Sequence, residues 1–311
     1  MADLKFHSFA PSAWIEVSGE DAFTFLQGQF SNDLKRSEEC PVTYGLLLDA
    51  KGKIEGDGFV LGCREEAFYL FSYYSPAASL MERLERYIIA DDVEAADVTS
   101  LMRGAAVWGT GARDCLERLG LPVPAAGTFE RKGDAWVVPG RRSPEENFDV
   151  LFPEASREWT GNRVEAVVRE MGGSGVDEAA CHYERIRAWL PAIPVDLGKR
   201  NLPHEGGLAD SAVSYAKGCY TGQEVMARLR HSGQARRSLV PARIDGVMSE
   251  LPCPVYFGEK EAGRVTSLGK RDGEQLGFVL VLRSILKETR SFSFEPSGKT
   301  GIHVLDDFLC E

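Results

Sequence analysis

The stretch KGCYTGQE, residues 217–224, sets a lysine and a cysteine two positions apart around a glycine, with Thr-Gly-Gln-Glu following. Thr221 and Glu224 have the spacing of a helix capping box. Val225, Met226 and Leu229 then recur at helical spacing. The pattern predicts a helix that starts near Gly222 with Thr221 as its N-cap. Cys219 would stand just before it, where unpaired N–H groups and the helix dipole favour negative charge. Lys217 adds a cation. Both features lower a thiol pKa and raise its thiolate fraction, and the neighbouring glycines leave the sulfur open. The competing reading is a buried, inert cysteine, the usual state of a free one. Local chemistry alone weighs the two evenly.

Other residues could do chemistry. Glu205 stands in NLPHEGG, where a carboxylate held by glycine-rich backbone can accept two parallel N–H bonds from a planar heterocycle. Composition alone favours an exposed loop glutamate there, with His204 a polar loop residue. Glu55 and Asp57 flank Gly56 on one strand face, and one of them can point into a pocket. Lys217, Arg228, Arg230, Arg236 and Arg237 face one acid, Glu224, inside a chain of net charge −11. Such a run is usually a solvated face, yet the contrast in sign marks a place for an anionic tail. GTGARD at 109–114 resembles the start of a dinucleotide fingerprint, but Asp114 replaces the third glycine, so it reads as an ordinary strand-to-helix turn. Asp91–Asp92 and Asp306–Asp307 read as solvated loop charges.

The elements that must position these residues form an α+β pattern. A helix is expected through residues 21–30, with Ser18 or Asp21 capping it and Ala22, Phe23, Leu26 and Phe30 inward. VTYGLLLD, IEGDGFVL and AFYLFS read as strands, and Ser75 and Pro76 open a helix carrying Leu80, Leu84, Tyr87 and Ile88. The middle gives strands AAVWG, AWVVPG and FDVLFP, with helices near 112–119, 162–171 and 177–190. Residues 191–216 read as irregular, a length that is often functional. From Leu239 onward, short strands and glycine turns suggest a small separate β-barrel or sandwich. The expected division is therefore 1–238 and 239–311.

Composition narrows the function. The 311 residues suggest two domains or three. Hydrophobic and charged fractions of 43% and 27% are those of a soluble globular protein. The acidic balance argues against a general nucleic-acid or anionic-membrane binder. Seven cysteines lack any C-x-x-C pair, which reads as free thiols in a reducing compartment, and five scattered histidines give no metal-ligand spacing. The N-terminus has no basic and apolar leader pattern, so the expected location is cytoplasmic.

KGCYTGQEVMAR resembles the signature of the YgfZ family of folate-binding proteins, linked to the maintenance of iron–sulfur enzymes. GEDAFTFLQGQFSNDL, with Gln27, Gln29, Asn32 and Asp33, is similar to that family's N-terminal motif. LLDAKGKI, ERIRAWLPAIPVDLGKRNLPHEGGL and AGRVTSLG agree in order along the chain. The family shares its fold with the glycine cleavage T-protein, a tetrahydrofolate-dependent aminomethyltransferase. The resemblance implies three domains around a folate pocket and a C-terminal barrel, the first two being intertwined α+β subdomains within 1–238.

It implies tetrahydrofolate, or a folate derivative, as cofactor, with Glu205 on the pterin and Asp57 and Arg228 as further pocket residues. Cys219, with Lys217, would be the redox-active or cluster-facing thiol. Implied partners are iron–sulfur client enzymes or assembly factors, including enzymes that modify tRNA, with no direct nucleic acid, no membrane and a monomeric state. The alternative is a folate-dependent one-carbon transferase. The T-protein carries an aspartate pair in its first hairpin and lacks KGCYTGQE. Here Gly56 and Asp57 stand near that pair, so one carboxylate remains.

Overall fold

The computed structural model of the chain describes residues 3–34, 40–62, 67–232, 235–246, 248 and 250–305. Cys63, Cys310 and the Asp306–Asp307 pair lie outside the described residues. In chain order the first elements are β1 (Lys5–Phe9), β2 (Ala13–Ser18), α1 (Ala22–Gln29), β3 (Val42–Leu48), β4 (Ile54–Gly62), β5 (Ala67–Ser72), α2 (Ala77–Glu85) and β6 (Glu94–Asp97). There follow β7 (Met102–Trp108), α3 (Ala112–Leu119), β8 (Glu130–Lys132), β9 (Ala135–Pro139), β10 (Asn147–Pro153), α4 (Gly161–Glu170), β11 (Ser174–Gly175) and α5 (Glu178–Arg187). A 3-10 turn (Pro203–Gly206) and α6 (Gln223–Ser232) lead to β12 (Arg237–Ile244), β13 (Cys253–Phe257), β14 (Lys260–Arg271), β15 (Glu274–Leu282), α7 (Arg283–Leu286), β16 (Ser291–Ser293) and β17 (Thr300–Val304).

These strands make three units. One sheet has the order β3-β4-β5-β2-β6, a second the order β11-β1-β7-β10-β9-β8, and β12-β15-β14-β13-β16-β17 close a barrel. Pairing is antiparallel apart from the short β1–β11 contact, which is parallel. Hairpins need only tight connections, which is why the chain shows strand runs without long crossovers. The first sheet carries α1 and α2 over Leu26, Phe30, Leu80 and Leu84. The second carries α3 and α4 over Leu116, Trp159 and Val164. The two sheets also share an aromatic layer, with Trp14, Phe59 and Phe71 against Trp136. Each such buried large side chain contributes about 1.5–3 kcal/mol relative to exposure.

The third contact is the one that matters for a site. Leu46, Leu48 and Ile54 of the first hairpin meet Ile186 of α5, the irregular segment through Ile193, Leu197 and Leu208, Met226 of α6, and Leu239 and Phe278 of the barrel. The segment 191–216 therefore crosses the junction of the first sheet, α5 and the barrel. It makes only one 3-10 turn there because prolines at 191, 194 and 203 remove backbone donors.

One local expectation is corrected. Asp21 precedes α1, but its carboxylate makes no capping bond and instead accepts from Asp92 N at 2.9 Å. Phe25, which the spacing did not single out, is a buried face residue of α1, and Phe23 packs half-buried against the same core. GTGARD is the turn from β7 to α3, with Gly109 and Gly111 at positive φ. Asp91 and Asp92 are exposed. Among the described residues no helix is long and apolar enough to cross a membrane.

Candidate functional site

The two motifs singled out by sequence, 27–34 and 217–224, lie against each other. Ser214 N and Thr221 N donate to Ser31 O and Gly28 O at 2.9 and 3.1 Å. Ser31 Oγ reaches Ala212 O at 2.6 Å. Lys217 is 8% exposed, and its ammonium donates to Gln27 O, Phe30 O and Asn32 O at 2.6, 2.8 and 2.9 Å. Three donors thus meet three carbonyls. Burial pushes the Lys217 pKa down to about 8, opposed by Asp33. Lys217 is therefore turned into the fold instead of standing free beside the thiol. Cys219, two residues on, is exposed, and a Cβ at Gly218 would meet no atom within 4 Å.

The helix after the motif begins one residue later than the pattern predicts, and among the described residues Thr221 and Glu224 make no reciprocal capping bonds. Gly222, at φ +85°, makes the turn, and Val225 N and Met226 N bond to its carbonyl at 3.2 and 3.3 Å. Thr221 Oγ1 is turned to Gln29 Oε1, 3.5 Å away. Gln29 Oε1 also accepts from the buried Arg83 at 2.9 Å, and Arg83 further holds Leu48 O and Glu55. Glu55 is thus spent on Arg83 and Arg86.

Asp57, on β4, points inward and is 6% exposed. Tyr44 Oη donates to its Oδ2 at 2.9 Å, and Ser72 and Ser75 hydroxyls lie 3.1 and 2.6 Å from its Oδ1. Burial raises its pKa above the usual carboxylate range, against these hydrogen bonds and the Arg141 charge. The Arg141 guanidinium lies over the Tyr44 ring, and its backbone N–H donates to Tyr73 Oη at 3.0 Å. Tyr73 Oη donates to Asp149 in turn, and Arg142 Nε reaches the same carboxylate at 3.2 Å. Asp149, fully buried, has its pKa raised by burial, offset in part by Arg142. Sequence reading missed this second carboxylate. Its one signal was a lone charge inside the apolar strand FDVLFP.

Glu205 is 6% exposed in the 3-10 turn, not on an exposed loop. Asn201 Nδ2 donates to its Oε2 at 2.6 Å. Among the described residues Asn201 is its one side-chain partner, which leaves Oε1 open to a further donor. Asn201 also accepts from Ile54 N at 3.1 Å through its carbonyl, so Glu205 is tied to the start of the strand bearing Asp57. Ser75 Oγ lies 3.1 Å from Ile193 O, a second tie between the Asp57 surroundings and the same segment. The structure thus brings Glu205 and Asp57 into one strand-and-loop unit.

His204, beside Glu205, is half-buried, with its Nε2 3.3 Å from Tyr215 Oη and Arg230 over the Tyr215 ring. Burial lowers the His204 pKa. Arg228 is exposed on α6, as are Arg236 and Arg237 before and at the start of β12. Among the described residues no three His, Cys, Asp or Glu side chains gather in a way that could hold a metal ion. A cleft of about 270 Å³ between Phe9, Arg103, Phe152 and Trp159 belongs to the second sheet and includes none of these residues.

Residues 10–125 match the GCVT N-terminal domain. The tRNA-modifying protein YgfZ of Aliivibrio fischeri (strain ATCC 700601 / ES114) is 25% identical over 300 residues, covering 92% of this chain and 87% of that protein. YgfZ of Klebsiella pneumoniae (strain 342) is 29% identical over 284 residues, covering 89% and 84%. Glycine cleavage system aminomethyltransferase T from Bartonella henselae superposes with a TM-score of 0.81 at 18% identity, covering 98% of this chain and 85% of that one. The chain is a relative of the YgfZ proteins, built on the fold of aminomethyltransferase T.

Proposed function

We propose that this protein binds tetrahydrofolate, or a close derivative, and supports the assembly or repair of iron–sulfur enzymes, with Cys219 as its working thiol. The observation that carries the reading is Glu205: a buried carboxylate with one oxygen held by Asn201 and, among the described residues, no further side-chain partner. Acceptor oxygens fixed in a buried turn fit the N–H edge of a pterin, so the residues present suit the group. Tetrahydrofolate supplies one-carbon and reducing chemistry when bound. The chain's own part is to hold the heterocycle at Glu205 and to present Cys219 from a docked loop. The curated relatives are named for tRNA modification, which points to tRNA-modifying enzymes among the clients.

The transferase alternative needs a carboxylate free to take a proton at the reacting nitrogen. Asp57 is the nearest candidate in the hairpin, and its oxygens already face Tyr44, Ser72 and Ser75. That arrangement supports a wall-building role over a base. Calorimetric titration with tetrahydrofolate, beside a turnover assay with an aminomethyl donor, tests both. Binding without turnover is expected. Absence of binding overturns the folate reading, and multiple turnover overturns the accessory one.

A further inference from the structure

We propose that Lys217 is the positioning residue of Cys219, acting as a pin that fastens the 214–223 loop onto the turn after α1. This inference rests on the reading of Cys219 as the working thiol. The pin has a donor for each of three acceptors. Gln27 O, Phe30 O and Asn32 O are the carbonyls around the C-terminal end of α1, where helix carbonyls lack intrahelical partners. A buried ammonium that makes three hydrogen bonds satisfies both its own desolvation and those carbonyls. The same loop is pinned on either side by Ser214 N–Ser31 O and Thr221 N–Gly28 O. Gln223 Nε2 closes back on Lys217 O at 3.4 Å.

Between these ties Gly218 and Cys219 are exposed. The lysine therefore sets where the thiol stands, and its charge is directed away into carbonyl oxygens. The groups facing the ammonium are the Tyr220 ring, 5.3 Å from Nζ, and Asp33, whose carboxylate is itself held by Gln27 Nε2 at 2.7 Å. A lysine needed only as a nearby cation would be replaceable by arginine. A lysine needed as a pin is not, because a planar guanidinium fixes its donors in one plane while an ammonium directs three apart.

The test uses the full chain with Lys217→Met, Lys217→Arg and Cys219→Ser. Hydrogen exchange is followed in peptides covering 28–34 and 212–223, with barrel strands β12 and β15 as an internal standard. Client enzyme activity is followed in cells carrying each variant. Lys217→Met is expected to speed exchange of the Ser214 and Thr221 amides about tenfold or more, with barrel protection unchanged. It should also reduce client support as Cys219→Ser does. Lys217→Arg should give the same loss in milder form and remains informative if the methionine variant fails to fold. Unchanged exchange in Lys217→Met, or wild-type exchange and client support in Lys217→Arg, overturns the pin. Full client support in Cys219→Ser instead overturns the reading of the thiol, while the exchange data still judge the pin.

Discussion

Glu205→Gln is the substitution whose outcome the structure fixes most closely. The glutamine keeps one oxygen for Asn201 Nδ2, so the 2.6 Å contact survives in neutral form. Its amide nitrogen then replaces the open oxygen and turns a donor toward the donors of a pterin. The folded state loses little, about 1 kcal/mol or less, since the buried Asn201 keeps a partner. The ligand loses a charge-assisted bond of about 1.5–3 kcal/mol, which is about tenfold to a hundredfold in affinity. Titration calorimetry with tetrahydrofolate reads the affinity, and thermal denaturation of the free protein reads the fold. Equal affinity for wild type and variant would refute the assignment. So would a large drop in stability with affinity per folded molecule unchanged.

Two further outcomes follow from the junction and the turn. Burial, then the Arg185 charge, hold His182 down to about 4, so between that value and the unfolded value of about 6.5 the unfolded chain takes up a proton that the folded chain does not. Stability should thus fall as pH drops through this window, by about 1–3 kcal/mol after allowance for partial exposure. His182→Gln should flatten that part of the urea-midpoint profile, and an unaltered profile would count against the assignment. Gly222→Ala places a side chain at φ +85° with its Cβ 2.7 Å from Asp49 O, a strain of about 1–3 kcal/mol. It should lower the urea midpoint without changing the slope, and a midpoint equal to wild type would show that the turn relaxes freely.

The fold was largely legible because its units obey local periodicity. The barrel strands VPARI and QLGFVLVLRS alternate or run apolar between glycine turns, and α2 shows Leu80 and Leu84 at helical spacing. Residues at the ends of elements were read less well. Ser75 looked like a helix opener, but its hydroxyl serves Asp57, 18 residues away in sequence. Thr221 matched a capping box, but Gln29, 192 residues away, takes its hydroxyl. The Tyr73–Asp149–Arg142 cluster spans 76 residues between Tyr73 and Asp149, and no spacing rule reaches that far. Lys217 was legible as a residue of interest and illegible in its role, because its partners are backbone carbonyls, which every sequence contains. Glu205 looked exposed by composition. Its burial follows from the packing of the first sheet, α5, α6 and the barrel around residues 191–216, a tertiary effect.

The central claim is that Cys219 is a working thiol on a folate-binding scaffold, and thiol mapping tests it most directly. Iodoacetamide labelling of the native protein, read by mass spectrometry, should modify the exposed Cys219 well before Cys115 and Cys181. Burial pushes those two thiols up to about 11 and about 12. Cys219→Ser, which keeps size and much of the hydrogen bonding, should fold, bind folate as wild type does, and fail to support the iron–sulfur client in cells. Slow labelling of Cys219 together with full client activity in the serine variant would contradict the account.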